Sequence, residues 1–192
     1  MKKFNKTIAI QGDAIQKINI KTDTTILLAL EAQSRGYKIY YYETKNLTFF
    51  KGSVYALSKQ IIFNENKKKF YFIKKLKLID LSKTNYILMR QNPPFNMDYI
   101  TATFLLEKIS HKTKIINDPF AVRNMPEKLY SINFLKLMPP TIFTKSIDEI
   151  NKFVKKYKKV VVKPTHGYGG KNILLINKNF SKIKIINYIK IH

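Results

Sequence analysis

The sequence predicts an α/β protein in two parts: an open, parallel sheet over residues 1–122, then a smaller α+β part over 123–192. Three observations carry that prediction. Strand-like and helix-like runs alternate as far as Asn117, the pattern of parallel strands joined by crossover helices. After Pro119 the alternation changes character. Further on, two β-branched runs flank a glycine-rich loop, which reads as a hairpin. No internal repeat or low-complexity linker interrupts the chain, and the boundary is placed near 118–125.

Each element has a local reason. KTIAIQ (6–11) is a short, buried strand type, and a polar loop follows it through Ile20. Thr22 or Asp23 is suited to cap the helix TTILLALEAQSR, which sets Ile26, Leu27 and Leu30 on one face, with Gly36 at the position past the end where a left-handed residue is favoured. YKIYYY then makes a strand, so 6–42 is a β-loop-α-β unit. From Leu47 to Ile73, aromatic and β-branched runs broken by KGS and NENKKK suggest hairpin-like strands or an excursion. NYILMR (85–90) is a buried strand that ends in QNPPFN, where two prolines forbid helix. Asp98 is expected to cap the helix YITATFLLEKIS, and KTKIIN returns as a strand. In open parallel sheets ligands sit off the carboxyl ends of strands, which makes the loop after Arg90 a site edge. Beyond it, Pro126–Leu135 is expected to be a helix with Pro at its first position, and TIFTK a strand. SIDEINKFVKKY is a helix with Ser146 and Glu149 in capping-box spacing. KKVVVKP and NILLIN are strands around THGYGGK, and FSKIKIINYIKIH is equally compatible with helix and strand.

Composition narrows the function classes. The chain has 192 residues, 45% hydrophobic and 13% aromatic, too apolar for a disordered protein. It has no cysteine, which excludes disulfide scaffolds, cysteine nucleophiles and thiolate metal sites. Its three histidines (His111, His166, His192) argue against a His-rich zinc site. No apolar run reaches the roughly 18 to 20 residues that span a bilayer, and the basic N-terminus lacks a signal-peptide core. The expectation is a cytoplasmic protein that does not engage membranes.

The net charge is +24, which ordinarily points to nucleic acid. Here the cations are 33 lysines and 3 arginines, spread along the chain with local runs only at Lys67–Lys69 and Lys155–Lys159. Base and phosphate recognition favours guanidinium. Lys, Ile and Asn supply 76 of the 192 residues, a bias that A/T-rich codons produce whatever the function. Solvated lysines are the favoured explanation, and no specific nucleic acid is expected. All 12 carboxylates lie at or before Glu149, so nothing after it can supply the oxygen ligands a Mg²⁺ ion takes.

The chemistry-bearing candidates are few. Lys163-Pro-Thr-His-Gly-Tyr-Gly-Gly-Lys171 is neither a Walker loop nor a dinucleotide fingerprint, since the glycine spacing differs and a strand follows. Gly167, Gly169 and Gly170 would let backbone N–H groups approach phosphate oxygens, with Lys163 as a point charge beside them. An ordinary glycine turn with a surface lysine fits equally well. Lys128, in PEKLY at an expected helix start, is suited to an anion, though such lysines are more often simply solvated. Arg90 is a candidate carboxylate clamp, with a structural ion pair as the equal alternative. His166 has the chemistry of a general base, and Asp13 and Asp23 flank the first strand–helix loop.

Taken together, INIKTDTT with LLALEAQSRGY, YILMRQNPPFNMDYITATFLLE, IINDPFAVRNMPEKLY and VVKPTHGYGG resemble, in order, the N-terminal portion of bacterial glutathione synthetase, an ATP-grasp ligase family. The resemblance runs from Ile8 to about Ile176. It implies a Rossmann-like pre-ATP-grasp domain followed by the first part of an ATP-grasp domain. It also implies an ATP-dependent carbon–nitrogen ligase that joins γ-glutamylcysteine to glycine through an acyl phosphate. On the matching positions, Lys128 and Lys163 would meet the ATP phosphates or the adenine side of the pocket. Gly167, Gly169 and Gly170 would form a flap over the phosphates, and Arg90 would lie near the dipeptide. His166 departs from the family, which usually has an acidic residue there. The resemblance further implies a homotetramer, and Mg²⁺ or Mn²⁺ held by a later part of the domain. The 192 residues are therefore read as a fragment, a truncated gene product or an inert remnant, and as unable to catalyse alone. Two other readings stay open: an ATP-grasp ligase of the glutamate-adding type, against which MRQNPPF argues, and a basic nucleic-acid-binding module.

Overall fold

The computed structural model describes residues 6–64, 69–177, 179 and 181–191. Of the Lys67–Lys69 run only Lys69 is among them, and His192 lies outside the described residues. The chain divides into two compact units, Met1–Asn124 and Met125–His192.

The first unit is built on β1 (Thr7–Gln11), α1 (Thr24–Ser34), β2 (Lys38–Tyr42), β3 (Leu47–Phe50), β4 (Ser53–Phe63), β5 (Tyr71–Asp80), β6 (Tyr86–Met89), α2 (Met97–Glu107), β7 (Lys114–Ile116) and α3 (Pro119–Asn124). Its sheet runs β3-β4-β2-β1-β6-β7, with β5 paired to β4. β2, β1, β6 and β7 are parallel, as the alternation predicts. The 47–80 region adds antiparallel strands to one edge, so the sheet as a whole is mixed.

The parallel strands are buried on both faces, which is why they read as continuous apolar runs. Ile8, Ile10, Ile39 and Ile61 pack with Ile26, Ala29 and Ala32 of α1. Ala9, Tyr42, Ile87 and Met89 pack on the opposite face with Leu106 of α2 and Ile109 beyond it. Helix α1 therefore turns toward the sheet a stripe of Thr25, Ile26, Ala29 and Ala32, whereas Leu27 is 66% exposed. Small residues let the helix lie close to the sheet, and Leu27 falls outside that stripe. Asp23 caps α1, its side chain accepting from Thr25 N at 2.8 Å, and Gly36 is left-handed (φ +81°). Helix α2 is capped by Asn96 rather than Asp98, which sits instead in the first turn, where its charge suits the helix dipole.

In the second unit α4 (Ile147–Tyr157) packs beside the antiparallel pair β8 (Lys159–Val162) and β9 (Leu174–Asn177), with α5 (Lys182–Ile191). Ser146 caps α4 by accepting from Glu149 N. The ambiguous final stretch is helical. Two expectations fail. Pro126–Leu135 is not an α-helix: a 3₁₀ segment runs over Tyr130–Leu137, with non-helical Phe134 inside it. It buries no side chain, and a short helix without a buried face has little to stabilise it. TIFTK is not a strand either, because 141–145 pairs with nothing among the described residues and follows two prolines. No helix of the described residues is long and apolar enough to cross a membrane.

Candidate functional site

In the first unit the chain leaves β1 toward β2 on one side, and β6 continues to β7 on the other. The carboxyl ends of β1 and β6 therefore form the switch point at which doubly wound sheets open a crevice. A cavity of about 300 Å³ lies there, lined among others by Asp13, Lys17, Asp23, Thr24, Arg90 and Asn92. Two strands and a helix cap meet at this cavity. Arg90 N donates to Gln11 O at 2.7 Å, fixing the first residue after β6 beside the last of β1. The guanidinium then reaches α1: Nη2 donates to Thr24 Oγ1 at 2.8 Å and Nε to Thr25 Oγ1 at 3.2 Å. Asp23 Oδ1 is 4.0 Å from Nη2, the outer limit of an ion pair, because that oxygen also caps α1. Arg90 is thus oriented mainly by two hydroxyls, with Asp23 at the limit of an ion pair.

Asp13 faces it across the cavity, its Oδ2 accepting from Asn92 Nδ2 at 2.8 Å and Asn92 N at 3.2 Å. Asp13 O accepts from Tyr41 Oη at 2.6 Å. Burial, reinforced by Asp13, Asp23 and Glu43, pushes the Tyr41 hydroxyl well above the ordinary tyrosine range. Tyr99 is also raised, by burial and then by Asp13, with Arg90 acting in the opposite sense. Gly12 is required where it stands: a Cβ there would lie 2.1 Å from Tyr41 Oη. One layer back, buried Gln11 Nε2 donates to Gln91 Oε1 at 2.9 Å.

The second unit carries the remaining candidates. The glycine loop joins β8 to β9 in a hairpin, as expected. Gly169 and Gly170 are left-handed (φ +61° and +69°) with open space where a Cβ would stand, so the tip exposes backbone rather than side chain. Gly167 serves another need, since its Cβ would come within 2.9 Å of Pro164 Cγ. Lys163 is exposed at the end of β8 and makes no hydrogen bond or ion pair among the described residues. Lys128 is not at a helix start; it lies in the turn before the 3₁₀ segment, and its Nζ donates to Gly167 O at 2.5 Å. It tethers the loop. His166 is exposed. Arg90 stands in the first unit, Lys128, Lys163 and the glycines in the second.

Asp13 and Asp23 were legible as loop carboxylates. Asn92 and Lys17 carry no signal in the sequence, because neither residue type is unusual in this composition. Gly12 had a signal: a glycine immediately after a buried strand. No group of three His, Asp or Glu side chains converges among the described residues, so a divalent metal does not fit the donors present.

The model for the prokaryotic glutathione synthetase N-terminal domain matches residues 7–123, and that for the prokaryotic glutathione synthetase ATP-grasp domain matches 127–191. The chain belongs to the prokaryotic glutathione synthetase family. It is 39% identical over 181 residues to glutathione synthetase of Agrobacterium fabrum, covering 93% of this chain and 57% of that protein. It is 42% identical over 163 residues to glutathione synthetase of Bradyrhizobium diazoefficiens, covering 85% and 52%. The chain thus spans about half the length of the curated relatives it matches. Among solved structures, D-alanyl-alanine synthetase A from Vibrio cholerae shares the fold, with a TM-score of 0.53 and 13% identity over 97% of this chain and 55% of that one.

Proposed function

We propose that this chain supplies the substrate-side domain (1–122) and the first part of the ATP-grasp domain (123–192) of a glutathione synthetase, joining γ-glutamylcysteine to glycine. One observation carries the reading: a single chain holds, in order, a switch-point cleft with an oriented arginine and a lysine-flanked glycine hairpin, each in the segment matched by its own glutathione synthetase domain. ATP, when bound, supplies the phosphoryl group that turns a carboxylate into an acyl phosphate open to attack by an amine.

The chain's residues bind and position. Arg90 and Lys17 offer cations to the dipeptide's carboxylates, and Asp13 offers an oxygen to its ammonium group, so a zwitterion fits the mixed charge of the cleft. Gly169 and Gly170 present backbone N–H groups to phosphate oxygens, Lys163 adds a point charge, and Lys128 holds the loop through Gly167 O. Orientation and electrostatic stabilisation are what phosphoryl transfer asks of a protein. No step is assigned to the metal that the family uses, because the described residues offer no ligand set. The same reading places the protein in the cytoplasm as a homotetramer.

The test uses the native polypeptide purified from its source. ADP release is expected only when γ-glutamylcysteine and glycine are both present, and Arg90→Ala should raise the KM for the dipeptide more than that for ATP. Release with glutamate and a peptide acceptor instead would move the protein to a glutamate-adding ligase.

A further inference from the structure

At the opposite, amino-terminal end of the parallel strands lies a second and larger cavity, about 600 Å³, within the range of small-ligand sites. Thr7 and Lys38, the first residues of β1 and β2, sit at its rim. Five residues per strand at about 3.3 Å each separate it from the Arg90 cleft. Five of its twelve lining residues are lysines: Lys38, Lys74, Lys75, Lys77 and Lys83. At the chain's overall frequency, 33 lysines in 192, twelve residues would hold about two. Codon bias raises lysine everywhere and does not gather it.

Strand β5 shows how the gathering is done. In a regular strand Lys74 and Lys75 would point to opposite faces. The β4–β5 register shifts here: Gln60 pairs with Lys75 and Ile61 with Ile73, leaving Lys74 as the extra residue of a bulge. Bulges re-aim side chains, and Lys74, the extra residue, lines the cavity beside Lys75 and Lys77. Asp80, the sole acidic group in the lining, is already committed. Its Oδ1 accepts from Ser82 N and Ser82 Oγ, and its Oδ2 pairs with Lys83 at 3.7 Å. Thr7, Gln60 and Thr84 add polar side chains to the walls, and Tyr40, Leu78 and Ile79 complete them.

We infer that this cleft binds a small polyanion of the oligophosphate class. A concave site of this volume with several ammonium groups suits a compact ligand that carries several negative charges. Such a ligand relieves the mutual repulsion of the lysines, which are exposed at the cavity. A nucleic-acid duplex needs a long basic track instead. The inference does not rest on the ligase reading.

The experiment is calorimetric titration of the chain with inorganic tripolyphosphate at roughly physiological ionic strength. Saturable binding is expected. The triple variant Lys74→Gln/Lys75→Gln/Lys77→Gln should weaken it at least tenfold, and Lys38→Gln, on a different strand, about threefold. These titrations are made in the Lys163→Ala background, which removes the cation proposed beside the phosphates at the glycine hairpin, so the two ideas fail separately. A triple variant at Lys155, Lys156 and Lys159 controls for bulk charge and should stay within about twofold. Equal losses from the control and the cleft variants, or no saturable binding, would each overturn the proposal. So would a duplex oligonucleotide whose binding depends on the cleft lysines more than tripolyphosphate's does. In the Lys163→Ala background, ATP binding tighter than tripolyphosphate assigns the natural source to nucleotides, and equal or weaker binding to free oligophosphate; both uphold the site.

Discussion

The two units solve the problem of burial differently. The first covers its parallel strands on both faces, and two clusters of ten or more buried residues hold α1 and α2 to the sheet. The second has a two-stranded sheet and, among the described residues, one cluster of four buried side chains, Ile150, Val154, Ile176 and Ile185. Its 3₁₀ segment leaves Leu135 and Leu137 largely exposed, and Ile183 and Ile191 of α5 face outward too. A two-stranded sheet is marginal unless something packs on it. The contrast teaches where each candidate site resides: a cleft at the end of a thick sheet, and a glycine-tipped hairpin on a thin one. Few buried contacts make local opening the expectation for the second unit.

The sharpest way to break the contrast is to cut equal volumes from both cores. Ile87 is fully buried, paired through Ala9 of β1 and Ile115 of β7. Ile87→Ala should cost about 2–5 kcal/mol, read from urea unfolding followed by tyrosine fluorescence. Ile185→Ala should fall at the lower end of that range, because a thin layer can collapse around the missing atoms. Equal losses at both sites would show the second unit to be as tightly packed as the first.

Alkaline pH should separate the units next. Burial raises the hydroxyls of Tyr41 and Tyr42 far above their usual value of 10. The folded state therefore holds those protons more tightly than the unfolded chain. Their stabilisation is complete below pH 10 and is lost above it, by up to about 1.4 kcal/mol per pH unit for each group. Both tyrosines lie on β2, so the first unit should lose more stability above pH 10 than the second, where burial raises Tyr188 alone among its described tyrosines. Thermal unfolding between pH 8.5 and about 11, with tyrosinate absorbance recorded alongside, checks this; an unfolding midpoint that stays flat while the absorbance rises would contradict it.

How much of this was legible follows the same division. In the first unit the sequence marks its parallel strands by β-branched runs and its turns by Asp23 and Gly36, because these signals are local. Arg90 stood out by rarity, one of three arginines in a lysine-rich chain. Its partners did not, since Thr24, Thr25 and Asp13 come together only once β1 and β6 are side by side. The α1 face misled because leucine and isoleucine are plentiful on both sides of the helix, and alanines did the packing. In the second unit Ser146 and the glycine hairpin were readable. Residues 126–145 were not, because propensity there has no buried face to support it. The lysine cleft was invisible for a different reason: Lys38, Lys83 and the lysines of β5 are far apart in sequence, and only the pairing of β2, β4 and β5 draws them around one cavity.

Nucleotide binding sharpens the comparison from the functional side. Lys163→Ala should lower ATP affinity at least tenfold, about 1.4 kcal/mol, with unfolding of the first unit unaltered. Lys128→Ala should lower it less, since that side chain acts through the Gly167 carbonyl. Titration with a fluorescent ATP analogue measures both. Full affinity in Lys163→Ala would remove this lysine from the nucleotide site.

The smallest effect distinguishes glycines that look alike in sequence. Gly170 is left-handed (φ +69°) with nothing near its missing Cβ, so Gly170→Ala meets no neighbour and pays only the backbone penalty, on the order of 1 kcal/mol. Gly167 has no positive φ, but its Cβ would press on Pro164 Cγ at 2.9 Å, and its carbonyl is the one that Lys128 holds. A clash with a proline ring is not relieved by side-chain rotation, so Gly167→Ala should shift the loop itself. Both variants should unfold within about 1–2 kcal/mol of the parent. Yet Gly167→Ala should lose more ATP affinity, because it displaces the Lys128 tether, whereas Gly170→Ala strains only the tip. If the two variants bind ATP equally well, the tether from Lys128 to Gly167 has no part in presenting the loop, and the hairpin tip alone meets the phosphates.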